Sequence, residues 1–326
     1  MINDGMNPGF CRAWIWHDSD SLQTLKQESV ALPAMAADDV LVRNFAIGLN
    51  PVDWKVLDIK HGLAPGVDGA GVVVAAGENV QTSLMGQRVA YHQNLHRPGS
   101  FAEYTPIKAT VLIRIPNEID YATAASIPCP ALTAWQALEK IPSKSGRSLL
   151  ISGAGGSVGH YLTQLAVSRG FEVSVMANPR HRENLMDLGA QHFLDSQRLP
   201  ALLQQKQKPQ FYAVIDTVSP ARSADLVALI QANGHLVSIQ GRPDQWPTQP
   251  FSQAISLHEV ALGALHQYGD GAAWQELTEA GEVLLRKIAS GHLRTEQIHT
   301  CSFAEIQQKL EALKNRNFSG KLVATI

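Results

Sequence analysis

The chain has 326 residues, 45% of them hydrophobic and 17% charged, enough for two domains of about 100–200 residues with a core in each, which excludes a disulfide-stapled miniprotein or a disordered chain. Its 27 Lys plus Arg against 29 Asp plus Glu leave a net charge of −2, and no long basic run offers the electrostatic footprint that nucleic acid requires. Cys11, Cys129 and Cys301 form no C-x-x-C pair, Met1–Arg12 carries Asp4 and Pro8 in place of a basic and then apolar leader, and no 18-residue apolar run occurs; a cytoplasmic chain without a membrane span is expected.

In chain order, residues 1–118 read as short β segments separated by Gly and Pro, among them Val40–Arg43, Gly71–Val74 and Gln87–Tyr91. They predict a compact, barrel-like β domain. From Ala122 to Leu138 the pattern is helical, and apolar bursts then alternate with helical stretches: Leu149–Ile151, Val173–Met176, His192–Leu194, Ala213–Ile215 and His235–Ile239, with helices over Ser157–Arg169 and Ala221–Gln231. Strands buried on both faces and joined by helices predict an α/β fold with a doubly wound parallel sheet over 119–265. The segment Glu259–Leu265 reads as its last, apolar edge strand. Beyond it come helices and a closing Lys321–Ile326 strand that returns 266–326 to the first domain.

The strongest motif is Gly153-Ala154-Gly155-Gly156-Ser157-Val158-Gly159, between a predicted strand and a predicted helix. Glycines admit a pyrophosphate close to the backbone, and the unpaired N–H groups of the helix start bind its charge, so Ala154, Gly155, Gly156, Ser157, Val158 and Gly159 are the expected dinucleotide cradle. About 20 residues on, where an NAD site places an acidic residue on the ribose, the chain reads Asn178-Pro179-Arg180-His181-Arg182. Asn178, Arg180 and Arg182 suit a 2′-phosphate, which makes NADPH the expected cofactor.

Taken with Gly48–Lys55, Pro65–Gly71, Gly99–Tyr104, Leu132–Trp135 and Gly320-Lys321, this loop resembles the medium-chain dehydrogenase/reductase superfamily, in its zinc-independent, quinone-oxidoreductase-like (zeta-crystallin-like) branch. The resemblance implies a GroES-like catalytic domain over 1–118 and 266–326, a Rossmann domain over 119–265, a cleft for substrate, and a homodimer joined through the sheet edge. At the positions where zinc-dependent members carry Cys and His stand Asn50 and Val67, leaving Cys129 near the third; Val67 has no ligating atom, so no metal is expected. His92 and His96 read as loop histidines at the cleft mouth, and Cys129 as a small packed side chain.

The expected reaction is hydride transfer from NADPH to a quinone, an enone or another small carbonyl acceptor. Asn50, Lys55, Tyr91 and Thr133, at the family's cleft positions, are the expected contacts, with the Asn50 amide and the Lys55 ammonium donating to the acceptor oxygen. Core hydrogen bonds for Asn50 and Thr133, and an ion pair with Asp53 for Lys55, are the structural alternatives. Two other functions remain open at this point: an alcohol dehydrogenase-type enzyme and a non-catalytic NADPH-binding scaffold or sensor.

Overall fold

Extended segments from both ends of the chain assemble into one unit, Met1–Cys129 with Gly263–Ile326, while the alternating helices and strands of Pro130–Leu262 form a second. The computed structural model describes residues 9–17, 21–316 and 319–326; Met1–Pro8, on which most of the leader argument rests, lies outside them.

In the first unit a seven-stranded sheet runs in the order Ile298–Ser302, Lys321–Thr325, Asp39–Gly48, Asp68–Ala76, Arg88–His92 and Ile113–Arg114, with Tyr104–Lys108 also paired to Asp39–Gly48. The expected return of the terminal strand is present: Val323 pairs with Gly48 and Thr325 with Ala46. The antiparallel pair Phe10–Trp16 and Leu25–Ala31 contributes Trp14, Trp16 and Leu25 to a core with Ile47, Phe101, Phe303 and Leu322. Two of the motifs interlock through backbone: Gly99 N–H reaches the Ala64 carbonyl at 2.7 Å and Ser100 N–H the Gly66 carbonyl at 2.9 Å. A Cβ on Gly99 would stand 2.2 Å from the Pro65 oxygen, and Gly66 has φ +95°, so both positions need glycine.

The unit boundary falls at Cys129/Pro130 and Leu262/Gly263, where the sequence placed it at 118/119 and 265/266. Packing explains the first difference. The helix Tyr121–Ala125 lies on Asp39–Gly48 and Asp68–Ala76, with the Tyr121 ring stacked 4.8 Å from Phe45 and the Arg88 guanidinium 4.7 Å from the centroid of the Tyr121 ring. The helical pattern of Ala122–Leu138 is two helices, Tyr121–Ala125 and Pro128–Glu139, because Pro128 lacks the N–H that would continue the first.

The second unit is a six-stranded, all-parallel sheet in the order His192–Asp195, Glu172–Ala177, Ser148–Ser152, Phe211–Asp216, Ile230–Ser238, Ser256–Glu259. In sheets of this order ligands bind outside the carboxyl ends of the strands where the winding reverses, here between Ser148–Ser152 and Phe211–Asp216. The edge strand is Ser256–Glu259, correcting the expected Glu259–Leu265. Leu262–Ala264 is a 3-10 turn and Leu265–Tyr268 a short helix, so the apolar side chains of this stretch belong to a turn and a helix and form no sheet edge. The predicted helix Ala221–Gln231 is shorter, Pro220–Leu226 followed by a 3-10 turn, since Ile230 and Gln231 already join the fifth strand.

Candidate active site

In the second unit, Gly153 takes φ +74° as the chain leaves the strand Ser148–Ser152, a conformation that favours glycine, and the helix Ser157–Ser168 begins with Gly156 as its N-cap and no side chain capping it. The first-turn N–H groups are thereby left for a ligand, and a Cβ on Gly156 would meet only open space apart from the Gly153 oxygen at 3.9 Å. Gly155, Gly156, Ser157 and Val158 are at least partly accessible, whereas Ala154 and Gly159 are buried. Those two serve packing. The Ala154 N–H is spent on the Met176 carbonyl at 3.2 Å, and a Cβ on Gly159 would strike Ala154 backbone at 2.4 Å, so glycine there lets helix and turn touch.

Asn178, Arg180 and Arg182 follow the strand Glu172–Ala177 and are exposed. Asn178 Oδ1 accepts the Arg180 backbone N–H at 3.1 Å, ordering the turn. Arg180 Nε donates to His181 Nε2 at 2.9 Å, which requires a neutral imidazole; burial and then the Arg180 charge hold the His181 pKa below its ordinary value. The Arg182 guanidinium lies 5.6 Å from the Phe193 ring centroid. His181, outside the expected site set, packs its ring where a Gly155 Cβ would stand (2.5 Å) and so ties the arginine turn to the glycine loop. Asp216, also unforeseen, braces the turn after the fourth strand: its Oδ2 accepts from Ser219 N–H at 3.2 Å and Ser223 Oγ at 3.0 Å. These residues fit a dinucleotide with a charged group on its ribose.

In the first unit a buried polar cluster is centred on Asn50, whose Nδ2 donates to Asp68 Oδ2 at 2.9 Å and to the Gly48 carbonyl at 3.2 Å, while its Oδ1 accepts from the Lys321 ammonium. Lys321 Nζ is also 3.8 Å from Asp68 Oδ2, with the two side chains 4% and 0% exposed. The Cys129 N–H donates to both Asp68 oxygens at 3.0 Å. This is a correction to the expected role of Asn50: its amide hydrogens and oxygen are engaged inside the protein, so it orders the cluster and has no donor left for an acceptor oxygen.

Tyr91 is corrected as well. It is fully buried, its hydroxyl donates to Asn44 Oδ1 at 2.7 Å, and a Cβ on Gly69 would stand 2.2 Å from that hydroxyl, so it fills the sheet's other face. Side chains alternate along a strand, and the next residue, His92, pairs directly with Asp68 and projects to the Asn50 face. His92 ends its strand and is 5% exposed, against the loop position the sequence suggested; His96 is in the exposed loop. Lys55 closes the short helix Val52–Lys55 and is exposed; Asp53, two residues earlier, points inward. Thr133 is buried in the helix Pro128–Glu139 and belongs to the second unit. All three cysteines are free, and burial with the Asp68 and Asp53 charges pushes the Cys129 thiol far up, so it is no nucleophile. Among the described residues no three His, Cys, Asp or Glu side chains gather to hold a metal. At the position in question Val67 offers no ligand atom and the Asn50 oxygen faces an ammonium, so this donor set does not fit a zinc ion.

Asp53 Oδ2 accepts the Asn50 backbone N–H at 2.7 Å and Oδ1 that of Val67 at 3.1 Å, yet burial raises its pKa to about 7, with Asp68 adding repulsion. Burial likewise raises Asp68 to about 6 against the opposing pull of Lys321. Because the folded values lie above the unfolded ones, the stability linked to these groups is complete below the ordinary carboxylate range and is lost as pH rises through about 6 and 7. The melting temperature is therefore expected to fall as pH rises from about 4 to about 7, and Asp53→Asn, although less stable throughout, to show a shallower fall in circular-dichroism melts. Equal slopes for the two proteins would contradict the assignment.

Residues 36–117 match the alcohol dehydrogenase GroES-like domain family and residues 157–282 the zinc-binding dehydrogenase family. The chain is 32% identical over 255 residues to 2-methylene-furan-3-one reductase of Solanum lycopersicum, covering 72% of this chain and 63% of that one. It is 31% identical over 255 residues to the chloroplastic NADPH-dependent alkenal/one oxidoreductase of Arabidopsis thaliana, covering 73% and 64%, so it spans less than two thirds of the length of either relative. The quinone oxidoreductase of Sus scrofa is 32% identical over 249 residues, covering 72% of this chain and 75% of its own. The solved quinone oxidoreductase of Coxiella burnetii superposes with a TM-score of 0.81 at 23% identity, over 97% of this chain and 99% of the other, and shares its fold. With a GroES-like β-rich unit, a Rossmann-type parallel sheet and these matches together, the chain belongs to the medium-chain dehydrogenase/reductase superfamily.

Proposed function

We propose that the protein is an NADPH-dependent, zinc-independent oxidoreductase that reduces a quinone, an enone or another small carbonyl acceptor. The observation that carries the reading is the uncapped glycine turn tied through His181 to a pair of arginines at the end of the second Rossmann strand. Bound NADPH would supply the hydride. The glycine turn would hold its pyrophosphate at the start of Ser157–Ser168, and Arg180, Arg182 and the Asn178 amide would hold its 2′-phosphate. An electron-poor acceptor spreads the arriving charge onto its own oxygen and needs only hydrogen-bond donors. An alcohol would need its hydroxyl proton removed first, a task for which zinc is the superfamily's device, and the Asn50–Asp68–Lys321 cluster stands at that position here.

The reading extends to a cytoplasmic homodimer. Among the described residues no helix is long and apolar enough to cross a membrane, and Ser256–Glu259 is the outermost strand of its sheet, an edge of the kind that proteins cover. The test is NADPH oxidation with 9,10-phenanthrenequinone and but-3-en-2-one beside NADP reduction with short alcohols, on protein whose metal content and mass in solution are measured. Turnover of quinone or enone by metal-free protein of twice 35.4 kDa is expected. Alcohol oxidation alone would give the alcohol dehydrogenase reading, and NADPH binding without turnover of any substrate the scaffold reading.

A further inference from the structure

One guanidinium in the second unit has no anion to answer it. Arg222 stands in the first turn of the helix Pro220–Leu226, where its backbone N–H donates to the capping Ser219 Oγ at 3.2 Å. The residue is half-buried, and among the described residues its guanidinium has one hydrogen-bond partner, the Met176 sulfur 3.9 Å from Nη1, and no paired carboxylate. A thioether is a weak acceptor. Nε and Nη2 are unpartnered and, unlike Ser152 Oγ and Asp216 Oδ1 at the same end of the sheet, they are not sealed from solvent.

Strand register locates this side chain. Met176, Ser152 and Asp216 are paired in one row across Glu172–Ala177, Ser148–Ser152 and Phe211–Asp216, so two strand spacings, about 10 Å, separate the outer two. Arg222 follows Phe211–Asp216 and touches Met176, so the two side chains meet over Ser152 at the carboxyl end of the sheet, where the winding reverses and the glycine turn begins. The turn that leads to Arg222 is locked to the glycine turn: Thr217 Oγ1 donates to the Ser152 carbonyl at 2.9 Å, and a Cβ on Gly153 would stand 2.7 Å from Val218 Cγ2. Val218 itself is 46% exposed. A flat cation and an exposed apolar side chain thus stand at the crevice, with Asn178 two residues beyond Met176.

We propose that Arg222 is the residue on which the adenine ring of NADPH stacks. The proposal rests on the NADPH reading of the glycine and arginine turns and adds the group that meets the base. With the pyrophosphate at the start of Ser157–Ser168 and the 2′-phosphate at Asn178, Arg180 and Arg182, the ribose would lie between the two turns. The purine leaves that ribose from the carbon next to the one that bears the phosphate, which keeps it at the end of Glu172–Ala177, beside Arg222 and Val218. A guanidinium is planar, always charged and weakly hydrated, so it covers an aromatic face at little desolvation cost. A phosphate is the poorer fit. Arg180, Arg182 and the helix start already meet the cofactor's charges, whereas a guanidinium laid against a thioether and near an exposed valine suits a ring with apolar faces.

The test is isothermal titration of NADPH, NADH and 5′-AMP, with ribose 5-phosphate as the ligand that lacks a base, into the unmodified protein, Arg222→Ala and Arg222→Lys. Loss of a cation–aromatic contact of this kind corresponds to a rise in Kd of about 3–30-fold. In Arg222→Ala that rise is expected alike for NADPH, NADH and 5′-AMP, since all three carry adenine, with the preference for NADPH over NADH and the Kd of ribose 5-phosphate unchanged. Arg222→Lys keeps the charge and gives up the plane, and is expected to stay weaker than the unmodified protein for the same three ligands. A rise confined to NADPH and restored by Arg222→Lys would make Arg222 a phosphate ligand and overturn the proposal. So would Kd values within about twofold of the unmodified protein in Arg222→Ala, or an equal loss for ribose 5-phosphate, which would place the damage in the phosphate turn. These outcomes leave the NADPH reading intact. Binding of 5′-AMP but of neither dinucleotide by the unmodified protein would defeat that reading, and the 5′-AMP titrations would then decide the role of Arg222; binding of none of the adenine ligands would defeat both.

Discussion

Replacing Lys321 with methionine is expected to destabilise the protein by about 3–5 kcal/mol, among the larger effects of any single substitution. Lys321 is 3% exposed and its ammonium serves both Asn50 Oδ1 and Asp68 Oδ2, with Asp53 buried close enough to interact. Methionine keeps the length of the stem and removes the charge, leaving buried Asp68 without its cation and buried Asp53 with only the charge of Lys60 to oppose its own. The carboxylates would answer by taking up protons, so the loss should be larger at pH 8 than at pH 6. Urea unfolding at the two pH values measures it, and the pair Lys321→Met with Asp68→Asn isolates the coupling. A loss below about 1 kcal/mol at pH 8 would mean that the ion pair is not held together as described. The same cluster explains why Asn50→Ala is expected to act on stability: the variant would strip the Lys321 ammonium of an acceptor and Asp68 of a donor at once.

The second large effect is on cofactor choice. Substituting both Arg180 and Arg182 with alanine is expected to weaken NADPH binding at least about tenfold and leave NADH nearly unchanged, since charge-assisted hydrogen bonds contribute about 1.5–3 kcal/mol each and only NADPH carries the phosphate that would accept them. Arg180 is pre-oriented by His181, whose ring must be neutral to accept its Nε–H, so the preference for NADPH should decline as His181 is protonated at low pH. Isothermal titration with each cofactor measures both points. Tighter binding of NADH than NADPH by the unmodified protein would defeat the assignment outright.

What could be read without coordinates followed from local regularities. The parallel sheet was visible because strands buried on both faces leave continuous apolar bursts, such as Leu149–Ile151 and Ala213–Ile215, which are 0% exposed in the fold. Gly153–Gly159 was visible because backbone geometry and close approach demand glycine whatever the surroundings, as the φ of Gly153 and the contact of Gly159 with Ala154 bear out. Boundaries were less legible. Residues 119–129 look like the start of the α/β domain by pattern, and only the packing of Tyr121 against Phe45 and Arg88 gives them to the β unit. Glu259–Leu265 is apolar enough for a strand, and an apolar run of that length does not reveal whether it pairs or turns.

By itself, then, the sequence determined the two-unit architecture, the glycine turn before Ser157–Ser168 and the cationic character of the turn at Arg180 and Arg182, because each depends on residues close together in the chain and on chemistry that no partner can alter. Tertiary structure alone decided the face of the β unit that carries polar chemistry. Asn50, Asp68, Cys129 and Lys321 come from four separate segments, and the nearest two of them in the chain are still 18 residues apart. Whether an amide or an ammonium is free to meet a substrate depends on which distant group has already claimed it, and here Asp68 and Lys321 claim Asn50. The same holds for Tyr91 and His92: adjacent in sequence, they are parted by the alternation of one strand, whose register against Gly69 and Asp68 sends the phenol into the core beside Asn44 and the imidazole to the cluster. That register is set by pairing between strands, and no property of either residue discloses it.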